Sequence, residues 1–192
     1  MSKLFVDDIV EKTSGHGVAI PGHVVQMKSS VSTAASSISS TSYADIPSMT
    51  ATITPTSTSS KILIQVSFGV LSATSTGTGC LMKLLRDSTE IGQGVGADTH
   101  NVFMQNYLGS VTNTFEQVNH MFVDSPSSTS AIVYKMQWSL TGTGETWYMN
   151  RRGSDNYART SSTFMVTETV SYTHLRAHET EADLVCRLLL EK

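Results

Sequence analysis

Charged and aromatic side chains gather near residue 150 of a chain in which charged residues make up only 15% and aromatic residues 7%. Aromatic faces can stack on sugar rings, and guanidinium, amide and carboxylate groups hydrogen-bond to polar ligands. Recognition usually lies on loops that a rigid scaffold carries, so we expect a surface recognition loop here, with a solvated connector as the alternative. The candidate residues are Tyr148, Arg151, Arg152, Asp155, Asn156, Tyr157 and Arg159.

Two other groups of residues could do chemistry. His16 and His23 share a glycine-rich segment and could ligate a metal ion if copies of the chain met around an axis, but no Cys or carboxylate supports them. Asp98, His100 and Ser110 could form a hydrolytic constellation, although a chain with so many serines produces such sets by chance. We therefore predict no catalytic residue, no bound metal and no cofactor.

Motifs for enzyme activity are missing from the sequence. It contains no Gly-x-Ser-x-Gly elbow, Walker loop, His-Glu-x-x-His pair or Cys-x-x-Cys pair. The glycines at 92, 94 and 96 follow a strand pattern without the dinucleotide spacing, which indicates a loop. Trp138 and Trp147 could also stack on sugars, but Trp138 alternates with Ile132 and Met136, which favours the core.

Composition limits the fold and the partners. Ser or Thr occupies 19 of the 32 positions from Ser29 to Ser60, which suits strands and turns better than helices. The net charge of −3 with no basic patch disfavours nucleic-acid binding. No apolar run approaches the roughly 20 residues that span a bilayer, so we predict no membrane insertion. Two cysteines are too few for a disulfide scaffold, and Cys80 is interpreted as a small apolar strand residue.

Side chains of period two indicate layered sheets. From Lys61 to Leu71 and from Ala131 to Leu140, apolar residues alternate with other residues, as in strands with one buried face. Further short strands are predicted, including Tyr43–Pro47 and Ala51–Pro55, each ended by its proline. The stretch Ser29–Ser42 is predicted as a loop or edge strand. About eight to ten strands favour an all-β, antiparallel, jelly-roll-like β-sandwich over residues 29–169.

Residues 1–28 are predicted to be an N-terminal connector or oligomerisation segment. Glycine and proline between Ser14 and His23 exclude a continuous helix, and so short a segment cannot bury a core alone. It must pack on the main domain, another copy or a larger assembly. The first residues lack the pattern of a signal peptide, because acids follow a very short apolar stretch.

Residues 170–192 are predicted to be non-native. Their pattern is that of a short amphipathic helix, unlike anything before Thr169. Residues 170–180 resemble one reading frame of a transposase-type sequencing adapter, and residues 184–191 resemble the flow-cell primer that follows it. The interval between them has the length of a sample index. We therefore leave this tail out of functional reasoning, and the true C-terminus beyond about residue 169 is not given by the sequence.

Several segments, in order, resemble phage tail-fibre and related virion structural proteins. Ser2–Asp7 with Gly17–Gly22 is similar to their N-terminal connector. Thr58–Ile64, Leu84–Gly92 and the run from Ser154 to Thr163 are similar to their C-terminal head domain. The resemblance implies a β-sandwich head, commonly a homotrimer, and transfers no catalytic or receptor-contact residue to this chain.

The resemblance also implies a function. The expected role is that of a phage virion structural protein, a tail-fibre or receptor-binding head made in the host cytoplasm and located in the phage tail. Its expected partners are two further copies of itself, other virion tail proteins and a host-surface glycan or protein receptor. A secreted carbohydrate-binding or adhesin-like β-sandwich is the first alternative, and a fibre-associated polysaccharide hydrolase is the second.

Overall fold

Two antiparallel β-sheets pack face to face in the computed structural model of the chain. The structure describes residues 23–74, 77–96, 100–108, 115–153, 155, 157 and 159–169, and this part contains no helix. The prediction of an all-β antiparallel sandwich is confirmed. The strands found in this part are β1 (Val24–Ser32), β2 (Ser36–Ile38), β3 (Ala44–Ile53), β4 (Lys61–Ala73), β5 (Gly79–Arg86), β6 (Thr89–Ile91), β7 (Met104–Tyr107), β8 (Phe115–Asp124), β9 (Ile132–Leu140), β10 (Trp147–Met149) and β11 (Ser162–Thr169).

The first sheet, sheet A, is built around the long strand β4. Strands β11 and β10 pair with successive parts of β4 on one side, and β8 pairs along its other side. Strand β1 pairs with β11, and β2 pairs with β10. The segment that connects β10 to β11 therefore leaves and rejoins the same side of β4, which fixes both of its ends.

The second sheet, sheet B, has the order β3-β9-β5-β6, with β7 also paired with β5. The core lies between the sheets. It is formed by the side chains on one face of each strand, as expected where successive side chains point to opposite faces. Cys80 and Trp138 are buried in it, which confirms both interpretations. The largest fully buried side chains include Trp138, Trp147, Tyr134, Phe68 and Phe164.

The segment before β4 differs from the sequence prediction. The structure has one strand, β3, where two short strands ended by prolines were predicted. Pro47 lies inside β3, at the register shift between Asp45 and Thr50, and Ser48 has a left-handed φ of 61°. A bulge removes residues from the hydrogen-bonded ladder, so it tolerates a proline that lacks an N–H.

The Ser/Thr-rich stretch from Ser29 to Ser42 contributes to the rim of sheet A. Strand β1 continues through it to Ser32, and β2 follows at residues 36–38. This stretch was predicted to be a loop or an edge strand, and the edge strand is confirmed. Polar β-branched and hydroxyl side chains are compatible with a strand that has one solvated face.

The predicted terminal segments fall largely outside the described residues. Residues 1–22 of the connector and residues 170–192 of the tail are not described, whereas residues 24–28 belong to β1. In the part of the chain that the structure describes, no helix has the length and apolar character needed to cross a membrane.

Candidate recognition site

The segment between β10 and β11, which we call the recognition loop (residues 150–161), begins at a buried asparagine. Asn150 has a φ of 62°, a left-handed conformation that Asn adopts more readily than most residues. Its Nδ2 donates to the carbonyl oxygens of Ser32 at 2.8 Å and Ala34 at 3.1 Å. Its Oδ1 accepts from the Ser162 hydroxyl at 2.6 Å. One side chain thus ties the loop's start to its end and to the chain beyond β1.

Arg151 is fixed along its whole length. Its carbonyl accepts from the Ser72 hydroxyl at 2.8 Å, and its backbone forms a bridge with Arg159. The guanidinium lies 4.1 Å from the ring centre of Tyr148, an attractive cation–π arrangement. Its Nε and Nη2 donate to backbone carbonyls of the next two residues at 3.1 and 3.3 Å. Such an arginine supports the loop as well as carrying charge.

Gly153 brings the loop against β4. A Cβ atom at this position would lie 2.3 Å from the carbonyl oxygen of Ala73 and 2.5 Å from its carbonyl carbon. Real Cβ atoms do not approach backbone so closely, and only glycine permits this contact. The loop is therefore held at Asn150, Arg151 and Gly153, and we call Arg152, Asp155 and Tyr157 its tip.

The tip joins a cation, an anion and an aromatic ring. Arg152 donates from Nε to Asp155 Oδ1 at 2.9 Å and from Nη2 to Oδ2, a two-point pairing. The same guanidinium lies 4.9 Å from the ring centre of Tyr157. Asp155 Oδ1 also accepts from the backbone N–H of Tyr157 at 3.0 Å. Tyr157 is nevertheless 82% exposed, so Arg152 and Asp155 position this residue while most of its ring stays open to solvent.

We expect the ion pair at the tip to be measurable by titration. The Arg152 guanidinium lowers the pKa of the Asp155 carboxyl to about 2, and the Tyr157 N–H adds to the effect. A lowered pKa means that the pair is complete at neutral pH and is lost only as the pH falls through about 2. NMR of the carboxyl carbon is expected to show this midpoint, and Arg152→Gln should raise it. An ordinary aspartate midpoint in the unsubstituted chain would show that the pair does not form in solution.

The structure brings most of the predicted site residues together. Tyr148, Arg151, Arg152, Asp155 and Tyr157 form the two stacked pairs and the ion pair just described. Arg159 is exposed on the returning side, and Asn156 lies outside the described residues.

The tryptophans take no part in this surface. Trp138 and Trp147 are both buried, so the interpretation in which they stack on a sugar is wrong for both. Trp147 belongs to β10, whose short run of residues pairs on both sides within sheet A. Its ring is enclosed in the core between the two sheets.

The two other chemical constellations fall partly outside the described residues. His16, Asp98 and Ser110 are not described, while His23 and His100 are exposed. Among the residues that the structure does describe, no cluster of three or more His, Cys, Asp or Glu side chains could hold a metal ion.

A groove on the outer face of sheet A was missed by sequence reasoning. Its volume is about 520 Å³, and it lies across β11, β4 and β8. Alternation in each strand marks the outward positions, but only the register shows which of them are neighbours. Its lining includes Gln65, Ser67, Asn119, Met121, Thr163 and Met165.

Comparison with protein-family models and with curated proteins found no match. The recognition loop and the resemblance described above are therefore the features that bear on the function of this chain.

Proposed function

We propose that the chain is a phage virion structural protein, a tail-fibre or receptor-binding head that contacts a host-surface glycan through its recognition loop. The observation that carries this proposal is Tyr157, an exposed ring held in place by Arg152 and Asp155. The resemblance of several segments, in the same order, to virion proteins supports the assignment to a phage particle. A homotrimer, contacts with other tail proteins and a location in the phage tail remain predictions from that resemblance.

The chemistry of the tip suits a sugar. The apolar face of a sugar ring packs on an aromatic ring, and adjacent hydroxyls hydrogen-bond to planar charged groups beside it. Tyr157 offers the ring, and Arg152 with Asp155 offers donors and acceptors at fixed positions. Because Arg152, Asp155 and Tyr157 already contact one another, a ligand loses less affinity to ordering of these side chains than it would on side chains without such contacts.

In this proposal the recognition loop binds a sugar and does not hydrolyse it. Glycoside hydrolysis uses a pair of carboxyl groups on either side of the scissile bond. Asp155, the carboxylate described at the tip, is engaged by Arg152 in a two-point pair instead. The same tip would serve a carbohydrate-binding adhesin-like sandwich of cellular origin, which remains the alternative.

A glycan microarray tests the proposal. The unsubstituted chain is expected to bind at least one bacterial surface glycan, and Tyr157→Ala should weaken that binding at least about tenfold, as truncating a central aromatic contact does. Tyr107→Ala is the matched control, because Tyr107 is 56% exposed on β7 in sheet B. Equal loss in both variants, or binding that survives Tyr157→Ala, would refute the assignment.

A further inference from the structure

The recognition loop carries positive charge in a chain whose net charge is −3. Three arginines and one aspartate lie between residues 150 and 161, which gives this segment a net charge of +2. Because the rest of the chain is net negative, an anion is attracted to this loop while the chain as a whole repels it. The charge of the loop therefore bears on which ligands it selects.

The two neighbouring arginines of the loop differ in how their charges are balanced. Both are stacked on tyrosine rings, Arg151 on Tyr148 and Arg152 on Tyr157. Arg152 is also paired with the Asp155 carboxylate through two contacts, so its charge is balanced within the tip. In the part of the chain that the structure describes, no ion pair joins Arg151 to a carboxylate.

Arg151 is half-buried, and its printed partners are neutral. Its Nε and Nη2 each donate to a backbone carbonyl oxygen, at 3.1 and 3.3 Å. A guanidinium has five N–H groups, so three of those of Arg151 have no partner among the described residues. A planar anion satisfies such groups and the charge together, because carboxylate and phosphate oxygens match the guanidinium geometry.

Arg86 shows how this fold balances another partly buried arginine. Its Nη1 donates to both carboxylate oxygens of Asp124 at 3.1 Å, and Asp124 is buried. Glu145, an acid two residues before β10, does not do this for Arg151, because its carboxylate accepts from the N–H and the hydroxyl of Thr78. A half-buried cation without an acidic partner is what a site for an anionic ligand requires.

We propose that the recognition loop selects an acidic glycan and that Arg151 binds its anionic substituent, a carboxylate or a phosphate. This inference rests on the proposed function, since it names the class of glycan that the same loop binds. The sugar ring packs on Tyr157, where the charge of Arg152 is already balanced, and the anionic group pairs with Arg151. Arg159, exposed on the returning side of the loop, adds positive charge nearby.

A glycan microarray arranged in matched pairs tests this inference. The two members of each pair differ only in the acidic group, as do oligogalacturonate and its methyl ester, or mannose oligosaccharides with and without a phosphate. Among the pairs that bind, the acidic member is expected to bind at least about tenfold more tightly, as a charge-assisted hydrogen bond does. The kind of pair with the larger ratio identifies carboxylate or phosphate as the group that is bound.

Two substitutions of Arg151 separate its charge from its support of the loop. Arg151→Gln removes the charge but keeps hydrogen-bond donors, so the ratio of acidic to neutral binding should fall to about one. Arg151→Lys restores the charge and should retain most of the preference. Lys61→Gln is the control, because Lys61 begins β4 whereas the loop contacts its last residue, Ala73. It removes one positive charge and should leave the ratio unchanged, and circular dichroism checks that each variant is folded.

The dependence on salt gives a readout that needs no variant. Raising the ionic strength from about 0.05 M to about 0.5 M should weaken binding of the acidic members and leave that of the neutral members unchanged. Equal binding of both members, a preference that survives Arg151→Gln, or one that is also lost in Arg151→Lys would overturn the inference and leave the proposed function intact. A chain that binds no glycan would instead refute the proposed function, and this inference with it.

Discussion

Replacing Glu168 by leucine is expected to lower the free energy of unfolding by about 2 to 3 kcal/mol, because it leaves the buried Ser60 hydroxyl and the less buried donors of Gln26 and Thr56 without their charged acceptor. The Glu168 carboxylate is fully buried. It accepts from the Ser60 hydroxyl at 2.5 Å, from Gln26 Nε2 at 2.6 Å, and from both the N–H and the hydroxyl of Thr56 at 2.7 Å. This one side chain joins β11 to β1 and to the connection between β3 and β4.

Urea unfolding at neutral pH measures this effect as a shift in the midpoint at constant slope. Glu116→Leu on β8 is the control, since Glu116 is exposed and surface changes usually stay within about 0.5 kcal/mol. Equal stability of the Glu168→Leu and Glu116→Leu variants would mean that the buried carboxylate contributes nothing to the fold.

The same carboxylate gives a pH dependence of known sign. Burial raises the pKa of Glu168, but hydrogen bonds from Ser60, Gln26 and Thr56 lower it by more, and the net direction is downward. A carboxyl whose pKa is lowered by folding contributes its full stabilisation above its unfolded pKa and loses it as the pH falls through its folded pKa. The stability difference from Glu168→Gln should therefore shrink in acid.

Substituting Gly153 by alanine is expected to cost about 2 to 3 kcal/mol of stability and to displace the recognition loop, as overpacking against rigid backbone does. The added Cβ would meet the Ala73 carbonyl group, which belongs to β4 and cannot move without disturbing sheet A. Arg151, whose guanidinium donates to the Gly153 carbonyl, would lose part of its support. Stability and glycan binding should therefore fall together.

Gly94 provides the control for that substitution. A Cβ at Gly94 meets nothing within 4 Å, so Gly94→Ala should change neither stability nor binding appreciably. Thermal unfolding and the glycan microarray, applied to both variants, measure the two effects. Gly153→Ala with unchanged stability and unchanged binding would contradict the close contact between the loop and β4.

The sheets were predictable because their signal is local. Alternation over β4 and β9 is visible in the sequence, and burying one face of each strand is its direct consequence. The prediction that a strand ends at Pro47 was wrong, because a bulge accommodates this proline within β3. The bulge depends on the partner strand. Propensity within a few residues cannot report such long-range compensation.

The recognition loop was predictable in composition but not in geometry. Arginine and tyrosine stand out against a Ser/Thr-rich chain, which is why Arg152 and Tyr157 were identified. The hydrogen bond from Asn150 to Ser32 joins residues 118 positions apart, and Gly153 is required by a contact with Ala73. The groove on the outer face of sheet A also depends on register between distant strands, so none of these features has a local signal.

Mapping of amide chemical shifts tests the central claim most directly. The chain, labelled with ¹⁵N, is titrated with the glycan that gives the strongest signal on the microarray. We predict that the largest changes fall on residues 150–159 and vanish in Tyr157→Ala. Changes concentrated on the groove of sheet A, on sheet B or evenly over the chain would contradict a recognition site at the loop.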